Sequence, residues 1–295
     1  MCKLKAWFAN MGCCQSTESD PGGYADLHGG AVQGKKISSG ELQRRIQHAT
    51  KTCSLKLHAI KLSDVPVAVL QPSAWKLVDL AYNEITALPA ELSGFKKVRT
   101  LAVPHNRIAT IDCNFDSMAS LRRLDLSYNQ FSAMPALPAS LTELDVSGCT
   151  LLSMQSLGRA LQPCKDSLQS LFLRSCDITQ LPPWVGSLTA LLVLDVSECT
   201  SLTSLQLPND AQWGALGQLG QLRAAGCPRL AQSGDLPESL LSDSAVHTLV
   251  LTGSGFSQSS LQRMPGMDAY IQRHTARADK AMSGGGAAST TLCQV

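Results

Sequence analysis

No apolar run in the 295 residues approaches the roughly 18 that a membrane-spanning helix needs. Met1 to Asn10 lacks the long apolar stretch and cleavage site of a secretory signal. A dominant charge is also missing, since 25 Lys and Arg oppose 23 Asp and Glu. No basic patch, aromatic–basic interleaving or RNA-binding signature stands out, so nucleic acid is not an expected partner. Aromatics are sparse, at 5%. There is no P-loop, no dinucleotide glycine fingerprint and no His-Glu-x-x-His, which removes the commonest nucleotide and metalloprotease readings. The 11 cysteines include no C-x-x-C pair and no Cys/His grouping of zinc-site spacing. No cofactor, metal or catalytic constellation is expected. The odd cysteine count and the missing signal point to a reducing, cytoplasmic compartment.

What the chain has is a repeat. Asn83, Asn106 and Asn129 sit 23 residues apart in one apolar frame. Around Asn129 the frame runs Leu121, Leu124, Leu126, Asn129, Phe131, Met134 and Pro135. Sliding it along the chain gives further copies at Cys149, Cys176, Cys199, Cys227 and Ser254, and a degenerate first copy at Leu55, Ile60, Ser63 and Val65. Alternating side chains in each short strand send the leucines inward and the intervening residues to the inner surface. The Asn or Cys slot falls where the chain turns away, and its polar group can satisfy backbone groups of adjacent turns. One turn cannot bury its apolar face alone, so its neighbours supply the core. The longer spacings toward the C-terminus leave room for helical turns on the outer face. Cys149, Cys176, Cys199 and Cys227 thereby read as ladder residues, small buried hydrophobes and not ligands.

This is the leucine-rich-repeat pattern. The expected fold is α/β: a leucine-rich-repeat solenoid, or horseshoe, with a parallel β-sheet on its concave face, about eight to nine repeats, and helical N- and C-terminal caps. Residues 1–37 are expected to be a disordered arm and 38–54 a cap helix with Ser39 at its N-cap. The repeats are assigned to 55–256, the C-terminal cap to 257–281 and a disordered tail to 282–295. The repeats resemble the intracellular leucine-rich-repeat class, including Ras-binding-type repeats. The ends are more specific. Leu240, Leu241, Ser242, Asp243 and Ser244, with Gly266, Asp268, Tyr270, Arg273 and Thr275, resemble the C-terminal end of the family of leucine-rich repeat-containing protein 57. The stretch from Leu42 to Leu70 is similar to that family's N-terminal cap. The resemblance covers about residues 40–280 and implies no catalytic activity. It also implies a Met-Gly start ahead of the cap helix. Two departures stand out: Cys replaces Asn in the later ladder, and the N-terminal arm is longer.

Met11, Gly12, Cys13, Cys14, Gln15 and Ser16 fit Met-Gly-x-x-x-Ser, the N-myristoylation pattern. Cys13 and Cys14 follow where S-palmitoylation adds a second chain, and two chains are needed for a stable anchor. Gly12 is internal here, so the reading requires Met11 as the working start, with residues 1–10 an upstream extension.

The expected partner is a protein held on the concave face. Tyr82, His105 and Tyr128 fall in one column just before the ladder, flanked by a column holding Asp125, Asp145 and Phe172, with Arg123 and Glu143 beside it. Aromatics beside charges are favoured at interaction centres. The Asp column also reads as repeat grammar, lying on an open, wet curve where nothing raises a carboxyl pKa. His58 reads as a core side chain near Cys53. Two functions remain open. One is a non-catalytic scaffold or adaptor, a monomer tethered to a membrane by acyl chains. The other is a soluble regulatory subunit of a larger complex, such as a phosphatase, ubiquitin-ligase or ciliary assembly.

Overall fold

The computed structural model describes residues 34–70, 74–207 and 213–283. The acylation motif at Gly12, Cys13 and Cys14, most of the N-terminal arm and the end of the tail lie outside the described residues.

Nine three-residue strands pair in parallel, each with the next turn of the chain. They are β1 (Ser54–Lys56), β2 (Leu77–Asp79), β4 (Thr100–Ala102), β6 (Arg123–Asp125), β7 (Glu143–Asp145), β8 (Ser170–Phe172), β9 (Val193–Asp195), β10 (Gln221–Arg223) and β11 (Thr248–Val250). Their central residues, from Leu55 and Val78 through to Leu222 and Leu249, stand in register across the whole sheet. All of them are buried, so each strand contributes one core layer. A second, outer pair joins β3 (Ala87–Leu88) to β5 (Thr110–Ile111). This is a leucine-rich-repeat solenoid.

Repeat length sets the outer elements. The 23-residue turns return through short 3-10 helices, such as Ala90–Gly94 and Phe115–Ser117. Two of the long turns carry α-helices: α3 (Met154–Leu161) and α4 (Glu238–Ser242). Bulky residues fill the outer layer. Trp75 and Trp213 are buried and donate their indole N–H to Val69 and Leu205 carbonyls.

The ends are closed by helices. At the N-terminus, α1 (Ser39–Thr52) buries Ile46 and Ala49 against β1 and packs on the single turn α2 (Val67–Leu70). Its N-cap is Ser38, whose hydroxyl accepts from the Glu41 N–H, one residue before the expected Ser39. After α5 (Gln258–Leu261) comes the C-terminal helix α6 (Met267–Ser283), which buries Tyr270 completely. Tyr270 Oη accepts from the Leu249 N–H of the last strand at 3.1 Å. Arg273 donates to carbonyls of Val246, Ser242 and Leu241, and the His274 ring meets the His247 carbonyl at 2.9 Å. The cap thus closes the core and also engages backbone groups at the end of the sheet, which would otherwise remain open to another strand.

The first ladder slot differs from the expected Ser63. Strand register pairs Leu55 with Val78, which places Ile60, not Ser63, opposite Asn83. The apolar spacing of that degenerate turn is ambiguous, and the backbone register removes the ambiguity. His58 is also corrected: it is half-buried and faces Asp79 at 3.5 Å, while Leu57 takes the core position.

Candidate functional site: the inner face

The inner face is organised by the ladder beneath it. Asn83 Oδ1 accepts from the Ile60 and Leu62 N–H groups, and its Nδ2 donates to the Leu57, Leu80 and Ala81 carbonyls. Asn106 and Asn129 repeat this arrangement, each bridging its own turn to the previous one. In the later turns the cysteine thiols keep one of these bonds. Cys149, Cys176, Cys199 and Cys227 donate to Leu126, Val146, Leu173 and Val196 carbonyls at 3.2–3.5 Å. A thiol replaces the amide donor but cannot match its acceptor. Burial pushes all four thiols up to between about 11 and about 12, so they stay protonated and unreactive.

Immediately before each ladder residue the chain adopts a left-handed conformation. Tyr82, His105, Tyr128, Ser175 and Glu198 have φ of 51–62°, and Gly148, Gly226 and Gly253 share the conformation. The turn from strand to return loop imposes it, at a cost of about 1–2 kcal/mol for a non-glycine residue. Nothing in the apolar periodicity signals this column, although its three glycines are a trace of it.

The conformation places three rings in a row. Tyr82 and His105 stack with centroids 4.4 Å apart and planes 10° from parallel; His105 and Tyr128 stack at 4.3 Å and 9°. The spacing follows from the roughly 4.8 Å separation of neighbouring strands. Tyr128 is 42% exposed, one of only three large hydrophobics that are exposed among the described residues. Its ring lies over Gly148, where an added Cβ would come within 2.5 Å of it. Beyond that glycine notch, Arg174 Nη2 donates to Glu198 Oε1 at 2.7 Å and Ser175 Oγ to Glu198 Oε2 at 2.9 Å. The surface is therefore an aromatic ridge, a notch and a charged bridge. Arg174 and Glu198 are absent from the sequence-based candidates. The signal for Arg174 was available: from the Asn83 turn to the Ser254 turn it is the only charged residue in the column two before the ladder.

Burial lowers the His105 pKa, so the imidazole between the two phenols favours its neutral form. Burial raises the Tyr128 phenol, with Arg174 opposing the shift.

The neighbouring column departs from expectation. Asp125 is 5% exposed, Glu143 8% and Phe172 4%, and Asp145 is half-buried. They line the floor of the inner face and are not its most exposed groups. Phe172 packs on Val193 and Leu192. Asp125 Oδ1 accepts from Ser127 N–H and Oγ; Asp145 and Asp195 accept from the Ser147 and Ser197 N–H groups. These bonds bend the chain out of each strand, which makes the column chiefly structural. Arg123 pairs with Glu143 across two strands. The expectation that nothing raises a carboxyl pKa here is overturned. Burial, and then the adjacent Asp145, raises Asp125; burial also raises Asp145 and Glu143.

Comparison with known proteins agrees with this architecture. The leucine-rich-repeat family model matches residues 120–138 and 167–188. Mouse leucine-rich repeat and calponin homology domain-containing protein 1 is 31% identical over 159 residues. That alignment covers 53% of this chain but only 19% of the mouse protein. Among solved structures, human 5T4 (trophoblast glycoprotein) superposes with a TM-score of 0.55 at 21% identity, covering 70% of this chain and 79% of that one. A leucine-rich-repeat protein of Leptospira interrogans gives 0.54 at 19%, covering 74% and 58%. The repeat domain of the type III effector XopL gives 0.53 at 19%, covering 78% of each. At these identities the structures establish the fold alone.

Proposed function

We propose that this chain is a non-catalytic adaptor that holds a protein partner on its concave face, with the row Tyr82–His105–Tyr128 as the centre of contact. The carrying observation is the stacked, partly exposed aromatic row on a face where Phe172 is buried. Stacked rings are rigid and present large amphipathic area at low entropic cost, which favours them as anchors. Arg174 and Glu198 border the row, and they supply polar contacts together with Arg123 on the same face. Leucine-rich-repeat solenoids serve generally as partner-binding surfaces, and this supports the reading. Likeness of the two caps to the family of leucine-rich repeat-containing protein 57 is part of the same proposal.

The adaptor is tethered to the cytoplasmic face of a membrane through a myristoyl group on Gly12 and palmitoyl groups on Cys13 and Cys14, with Met11 as the start. The support is the fit to Met-Gly-x-x-x-Ser with two cysteines beside the glycine. Among the described residues no helix is long and apolar enough to cross a membrane, so a stable membrane association by this part of the chain needs another device.

Two experiments test these parts separately. Tyr82→Ala combined with Tyr128→Ala is expected to abolish partner capture in a comparative pull-down while thermal unfolding stays nearly unchanged; unaltered capture removes the row from consideration. The mass of the native N-terminal peptide tests the tether. A myristoylated Gly12 is expected, whereas an unmodified, internal Gly12 removes it.

A further inference from the structure

The N-terminal end of the solenoid carries a charge imbalance that the linear sequence conceals. From Gly34 to Lys76, eight Lys and Arg accompany two carboxylates, giving this stretch +6 in a chain whose formal total is +2. All eight basic side chains are exposed. They are spread over some forty residues of sequence, so no basic run marks them, and the expectation of no basic patch is corrected by the fold. Arg44, His48 and Lys51 recur at helical spacing on the outward stripe of α1. Between α1 and the edge strand β1 lies an open groove of about 510 Å³. Arg44, Arg45, His48 and Lys56 line it with Thr52 and Ser54, and Glu41, which pairs with Arg45 at 3.1 Å, is its only carboxylate. The neighbouring α2 begins with Val67, 73% exposed, an apolar side chain in the same end of the molecule.

We infer that this basic end face docks on an anionic lipid surface, the groove between α1 and β1 receiving the negatively charged headgroups. The choice of lipid over another polyanion rests on the tethered-adaptor reading, because the acylation motif precedes α1 in the chain and would hold this basic end close to a membrane. The groove lining suits this occupant: it is polar and basic, with a single carboxylate. The rest of the chain carries a net negative charge and is repelled by the same surface. Docking therefore stands the solenoid on its N-terminal end and leaves the Tyr82–His105–Tyr128 face open to a partner.

The test uses the full, unacylated chain with vesicles of phosphatidylcholine alone or containing about 30% phosphatidylserine, whose surface potential is what basic residues sense. The chain is expected to co-sediment with the anionic vesicles only, and less so as salt rises. Each basic group near such a surface contributes a factor of about five, so Arg44→Gln/Lys51→Gln/Lys56→Gln should weaken binding about 100-fold. The control Arg107→Gln/Lys165→Gln/Arg229→Gln should bind like the unaltered chain. If the first variant loses its fold, Lys35→Gln/Lys36→Gln/Lys76→Gln serves instead, with the same expectation. Failure to bind anionic vesicles at low salt, or binding that survives the substitutions, overturns the inference. So does retention by poly-glutamate or duplex DNA when vesicles are ignored. Because no acyl chain is present in the assay, these outcomes are separate from that of the N-terminal mass measurement.

Discussion

At the scale of single residues, the ladder shows how chemically different side chains fill one slot with different consequences. Asn106 satisfies one N–H and three carbonyls across two turns, whereas Cys176 donates one weak bond. Asn106→Ala leaves buried backbone groups unpaired and is expected to cost about 3 kcal/mol. Cys176→Ala loses a soft contact and a small volume, and is expected to cost about 1 kcal/mol. Urea denaturation of the two variants checks the ordering, and equal losses would contradict it. Gly148 is constrained twice, by its φ of +68° and by the Tyr128 ring upon it. Gly148→Ala should cost about 1–2 kcal/mol and displace Tyr128 enough to raise its accessibility to iodination. The slots themselves were legible in the sequence, since a 23-residue recurrence of Asn in an apolar frame has few alternatives. The left-handed column was not, because five of its eight members after the first turn carry ordinary side chains whose conformation is imposed by the turn.

At the scale of elements, the caps decide whether the solenoid has open ends. A C-terminal cap was expected on general grounds, because a bare solenoid end exposes apolar surface. Its detailed role was not, since the Tyr270 hydroxyl and the Arg273 fork act on backbone groups that no sequence pattern displays. Tyr270→Phe keeps the packing and removes the acceptor for the Leu249 N–H, leaving that buried donor unpaired. About 1–2 kcal/mol of stability should be lost. Amide hydrogen exchange should quicken first in the last two strands, because neighbouring turns are what protect each repeat. Uniform acceleration from Leu55 to Leu249 would argue that the cap acts globally. Strand register explains the misplacement of the first ladder slot. Ile60 and Ser63 both fit a degenerate apolar pattern, and only pairing of Leu55 with Val78 separates them.

For the whole molecule, the buried acidic floor sets a pH dependence. Folding raises the Asp125 and Asp145 pKa values, so the folded chain binds more protons than the unfolded chain once pH passes the ordinary carboxylate range, about 4. Stability should then fall as pH rises from about 4 toward neutrality. Asp125→Asn, which keeps an acceptor for Ser127 and carries no charge, should flatten that slope and be no less stable than the parent at neutral pH. Chemical denaturation across this range checks both, and a slope unchanged by the substitution would show that other groups set it. This floor illustrates why the site was only partly legible. Alternation assigns Asp125, Glu143 and Phe172 to the inner face, yet all three are buried, a property that alternation alone does not give. The aromatic row, by contrast, follows directly from register.

The central claim is that the partner sits on that row. A photo-crosslinking residue substituted at Tyr82 in the full chain, compared with one at the exposed outer position Glu91, tests it most directly in cells. Discrete adducts from position 82, and none from position 91, are the predicted result. Adducts from position 91 alone, or the same adducts from both, would contradict a partner held on the concave face.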